Sequence, residues 1–105
     1  MANDRSQKIQ AMLEKSPDDP FLLYALAMEK KKTDTGEALR LLRRVTQLDP
    51  AQCYAYFQLG QTHELEGNAE AAKGAYREGL AAAERYGDQH AKQEIAGALS
   101  MIEMD

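Results

Sequence analysis

Thirty-three residues after Leu26-Ala27 the chain sets Leu59-Gly60, and thirty-four residues after Ala38, Leu42 and Val45 it sets Ala72, Tyr76 and Gly79. Two stretches, 20–50 and 52–86, therefore repeat one pattern, and the one-residue difference falls in the inner loop of the second. A period of this length marks an array of helix pairs, in which each pair must stack on a neighbour to bury its apolar face. The matched positions fit that packing. Ala27 and Gly60, like Ala38 and Ala72, are small residues within helices, where they let paired backbones approach. Leu59, Tyr76 and Leu80 are large enough to fill the remaining space.

The rest of the chain follows the same rule. Apolar residues recur at helical spacing: Ile9, Met12 and Leu13; Leu23, Leu26 and Ala27; Ala38, Leu41, Leu42 and Val45; Tyr56, Leu59, Gly60 and His63; Ala72, Tyr76, Gly79 and Leu80; Ala91, Ile95, Ala98, Leu99 and Ile102. Val and Ile are scarce, whereas Ala, Leu, Glu, Gln, Lys and Arg, which lose little on entering a helix, dominate. Punctuation separates six segments. Pro17 stops the first, and Asp19 caps the second with Pro20 at its first position. Asp34 and Glu37 have the spacing of a capping box for the third. Asp49-Pro50 ends the third, while Gly67-Asn68 and Gly87-Asp88 each supply a helix stop followed by an N-cap. Such short helices are not stable alone, and short loops make neighbours antiparallel. The expected fold is all-α: antiparallel helical hairpins, about six helices, in one domain over 1–105. It divides into a partial-repeat helix at 3–16, repeats at 20–50 and 52–86, and a final helix at 88–104.

With the register in place, the sequence resembles the tetratricopeptide repeat family. In the second repeat, Tyr56 stands where that family's motif has Trp, Leu59-Gly60 match its Leu-Gly pair, and His63 replaces its Tyr. Gly67 matches the inter-helix Gly, Ala72 the motif Ala, Tyr76 the aromatic four later and Gly79 a small residue, while Glu84 replaces the closing Pro. In the first repeat the same places hold Leu23, Leu26-Ala27, Ala38, Leu42, Val45 and Pro50. The resemblance implies a short right-handed solenoid with a capping last helix, and a concave face that holds a partner segment. One subgroup of the family grips a peptide C-terminal carboxylate with Lys, Asn and Arg. Here Tyr24, Met28 and Gln58 occupy three of those places, so such a clamp is not expected.

The chemistry-bearing residues point away from catalysis. His63-Glu64 opens like the zinc motif H-E-x-x-H, but the second histidine's place, one helical turn on, holds Gly67. His63 instead lies in register with the packing stripe, and is expected to be a semi-buried interhelical histidine. Cys53 stands near a helix start with no histidine beside it in sequence, and a nucleophilic pair with His90 has no support. Neither a metal nor a cofactor is expected, nor enzymatic activity. Net charge is −4 over 105 residues, which disfavours nucleic acid and membrane surfaces as partners. A single cysteine and the absence of a signal-like apolar start lead us to expect a soluble protein of the cytoplasm. Lys30, Lys31, Lys32, Arg40, Arg43 and Arg44 gather in one region, and read either as a solvated face or as a patch for an acidic partner.

Each repeat's first helix also carries a second stripe. Phe21, Tyr24, Met28 and Lys31 form one. Tyr54, Phe57, Gln58, Gln61, Glu64 and Leu65 form the other. Phe57 lies about 100° round from Tyr56, so one helix cannot turn both faces to its hairpin partner. These ten residues either line a partner-binding groove or pack on the flanking first and last helices. The expected function is accordingly a non-catalytic scaffold or interaction module that binds a protein or peptide segment. The alternative is self-association into a homodimer or larger assembly, because an array needs roughly three repeats for secure stability.

Overall fold

The computed structural model describes residues 4–104, so Asn3, the expected start of the first helix, lies outside the described residues. Within them the chain forms six helices and no strand: α1 Asp4–Lys15, α2 Pro20–Lys30, α3 Thr35–Leu48, α4 Cys53–Leu65, α5 Ala69–Tyr86 and α6 Gln89–Glu103. Each helix packs against the next, so the core is a row of hairpins. The expected all-α array of helix pairs is what is observed.

Local chemistry sets the boundaries. Asp19 accepts hydrogen bonds from the amides of Phe21 and Leu22 at 2.9 and 3.3 Å, with Pro20 opening α2. Asn68 and Asp88 cap α5 and α6 through the amides of Ala71 and Ala91. These side chains satisfy amides that have no partner within a helix. Gly87, at φ +73°, ends α5 in the left-handed region that glycine enters without steric penalty. The capping box of α3 is only half built. Asp34 accepts from the Glu37 amide, but Glu37 turns its carboxylate to Arg40 at 2.7 Å. The Asp34 amide already donates to the Lys30 carbonyl, so no donor remains for Glu37.

The interior is organised by reciprocal pairs of small and large side chains. A Cβ on Gly60 of α4 would lie 2.1 Å from the Tyr76 ring of α5. A Cβ on Gly79 of α5 would lie 2.8 Å from Tyr56 of α4. Each helix thus offers a gap that the other's tyrosine enters. The first repeat divides the space differently. Ala27 clusters with Leu42, and Leu23 with Val45. A larger residue on one helix is matched by a smaller one on the other. Ala27, Leu42, Val45 and Tyr76 are all fully buried. Ile95 of α6 is equally buried and closes the second pair from beyond, 3.0 Å from the place a Gly79 Cβ would take.

The Tyr76 ring is enclosed and cannot swing aside. Gly60→Ala is therefore expected to lower unfolding free energy by about 3 kcal/mol. In Gly60→Ala/Tyr76→Leu the second repeat receives the first repeat's pair. Its loss should fall short of the sum of the single losses by about 1 kcal/mol or more, measured by urea unfolding. Strict additivity would refute the interlock. Gly74 of α5 faces open space, and Gly74→Ala should stabilise the helix by about 0.5–1 kcal/mol in the same measurement.

Candidate functional site

α2 packs on α3 and α4 on α5, and Lys31 links the second stripes of α2 and α4 on one side. Tyr24 and Met28 are half-buried and rest on the core between α2 and α5. Lys31, at the end of α2, reaches across to α4 and donates from Nζ to Gln58 Oε1 at 2.8 Å and Gln61 Oε1 at 3.3 Å. Burial lowers the Lys31 pKa and raises that of Tyr24, the latter opposed by a hydrogen bond from Gln58. Tyr24, Lys31, Gln58 and Gln61 thus form a polar seam joining the two helices. Lys31, Gln61, Glu64 and Leu65 line a recess of about 330 Å³ at its end.

Aromatic rings occupy the other end. Tyr54 meets Phe57 edge-on with centroids 6.4 Å apart, and Phe57 leans on Tyr76 at 6.2 Å. Tyr54 also touches α6: its hydroxyl hydrogen-bonds His90 Nδ1, and the rings are 6.2 Å apart. Glu94, one turn on, stands 3.4 Å from His90 Nε2. Phe21 and Leu65 are open to solvent, 79% and 64% exposed. Glu64 is drawn toward α5, where its carboxylate accepts the Tyr76 hydroxyl proton. Burial first and that carboxylate second push the Tyr76 phenol well above its ordinary range, so it remains a donor.

The sequence reading did not place His90 or Glu94 on this face. The signal was present, because His90 lies thirty-six residues after Tyr54 at the same place in its helix. Extending the repeat register into α6 identifies it.

The other singled-out residues have local roles. His63 is half-buried, with Nδ1 enclosed and without a hydrogen-bond partner among the described residues. Among those residues no group of three or more His, Cys, Asp or Glu is placed to hold a metal ion. Cys53 is buried, its thiol 3.5 Å from the Ala51 carbonyl. Burial, and then the charges of Asp88 and Asp49, raise its pKa and favour the unreactive thiol. Four of the six basic residues stand beside carboxylates. Lys32 pairs with Glu29, Arg40 with Glu37, Arg43 with Glu78 and Arg44 with Asp18. None of the described helices is long and apolar enough to cross a membrane.

This architecture has known counterparts. The chain is 30% identical over 98 residues to a TPR repeat-containing protein of Pseudomonas aeruginosa, covering 90% of this chain and 91% of that one. The solution structure of a tetratricopeptide repeat domain protein from Salinibacter ruber superposes with a TM-score of 0.76 at 33% identity, covering 83% of this chain and 89% of that one. A Bordetella parapertussis protein of known solution structure reaches a TM-score of 0.84 at 28% identity, covering 99% of this chain and 90% of its own. No protein-family profile matches the chain. On the evidence of its relative in Pseudomonas and the shared helical array, the chain belongs to the tetratricopeptide repeat family, whose members generally mediate protein–protein interaction and are typically non-catalytic.

Proposed function

We propose that this protein is a non-catalytic interaction module that holds a peptide segment of another protein across the side shared by α2, α4 and α6. The observation that carries this reading is the combination of side chains there. Tyr24, Met28, Tyr54, Phe57, Gln58 and Gln61 are neither fully buried nor freely solvated, and Phe21 is 79% exposed beside them. Aromatic and methionine side chains provide large, adaptable contact area, and the amides provide hydrogen bonds for a backbone. The segment divisions 3–16, 20–50, 52–86 and 88–104 then act as one binding unit. A buried free thiol, Cys53, agrees with a reducing compartment such as the cytoplasm.

Self-association through the ends of the array is a second reading. It rests on Met12 of α1 and Met104 beyond α6, 51% and 79% exposed. A mass in solution that stays monomeric as concentration rises removes it.

Phe57, which leans on the fully buried Tyr76, is a poor position for the test, and because Tyr24 also touches the core the fold of its variant is checked by circular dichroism. Proteins captured from cell extract are trimmed by limited proteolysis to the bound segment. A synthetic copy is then titrated against wild type and Phe21→Ala/Tyr24→Ala. The double variant is expected to bind about 2 kcal/mol more weakly, roughly thirty-fold in Kd. Equal affinity with unchanged circular dichroism would sink the assignment.

A further inference from the structure

Among the described residues, eight lysine and arginine side chains lie within ion-pair distance of a carboxylate: Arg5, Lys32, Arg40, Arg43, Arg44, Lys73, Arg77 and Lys92. Lys31 is different. It is half-buried, yet the two oxygens bound to its Nζ belong to neutral amides, Gln58 Oε1 and Gln61 Oε1. An ammonium carries three protons and can only donate. Two are used, and the third remains for a further acceptor. The same chemistry orients the glutamines. Lys31 can attract only their oxygens, so their NH2 groups are left to face other acceptors. Gln58 serves the Tyr24 hydroxyl, whereas Gln61 lines the recess with Lys31. Partial burial already costs the Lys31 charge part of its hydration, as its lowered pKa reflects.

The recess of about 330 Å³ has four lining residues, Lys31, Gln61, Glu64 and Leu65. Leu65 gives it an exposed apolar wall. Glu64 is its carboxylate, and that carboxylate is held by the Tyr76 hydroxyl on α5 rather than by Lys31. Among the described residues, no carboxylate is thus bound to the Lys31 ammonium.

We infer that Lys31 and Gln61, steadied by Gln58, form a subsite for an aspartate or glutamate side chain of the bound segment, with an apolar neighbour of that residue on Leu65. The inference rests on the α2–α4 side being the binding surface. It adds the partner's chemistry: an acidic residue beside an apolar one, set within the segment rather than at its terminus. Glu64 repels the incoming carboxylate and so limits affinity.

The test is selection of binders from a random peptide library displayed with both peptide ends fused or blocked, so that no terminal carboxylate is available. Wild type should enrich Asp or Glu several-fold at one position next to an apolar residue. Lys31→Met should return that position to library background, while Lys31→Arg keeps the preference. Gln61→Glu, which supplies an internal carboxylate to Lys31, should abolish it, and Glu64→Gln should strengthen it. Circular dichroism checks that each variant is folded. No acidic preference in wild type, or one that survives both Lys31→Met and Gln61→Glu, overturns the subsite. Peptides without acidic preference that lose binding in Phe21→Ala/Tyr24→Ala overturn the subsite alone. Peptides indifferent to that double variant overturn the binding face as well.

Discussion

The fold depends on the reciprocal fit between α4 and α5. Gly60 makes room for Tyr76, and Gly79 makes room for Tyr56. Because interiors are packed as densely as organic crystals, such a fit acts as a position stop as well as an attraction. The two contacts lie at separate levels of an antiparallel pair, so together they fix both spacing and register. In the first repeat Ala27 with Leu42 and Leu23 with Val45 perform the same task with different volumes. What the two repeats share is a sum of sizes at each contact, not a residue.

That constraint also produces the proposed binding surface. Once Tyr56, Leu59 and Gly60 are committed to the interior, Tyr54, Phe57, Gln58 and Gln61 cannot be. They fall on the side of α4 next to the corresponding side of α2, and the polar seam of Lys31 with Gln58 and Gln61 joins the two. The exposed ion pairs add little to stability. Their effect is to consume the basic residues of α3: Arg43 is bound across to Glu78 of α5 and Arg44 to Asp18. Lys31, on the α2–α4 side, has no carboxylate bound to it among the described residues and is held by amide oxygens instead.

The helices, their caps and the interlock were legible in the sequence because they depend on spacing within short segments. Asp19, Asn68 and Asp88 cap the helices that their positions imply. The reciprocal half of the Asp34–Glu37 box was not legible, since it fails through a bond made by the preceding turn to Lys30. The partners of the basic cluster were not legible either. Its members are close in sequence, but their partners Asp18 and Glu78 come from other segments. His90 escaped notice on the face because the last helix carries no motif letters, and only the continued register reveals its equivalence to Tyr54.

Tyr76 connects these levels. Its ring fills the gap at Gly60, and its hydroxyl holds the Glu64 carboxylate. Leu42 stands in its place in the first repeat and has no polar group to perform the second task. The difference between the repeats, slight as a matter of packing, therefore bears on the proposed subsite. A phenol at this position engages the Glu64 carboxylate, which lines the recess beside Lys31 without being bound to it. A core residue chosen by volume thereby also sets the electrostatics of a surface that it does not reach.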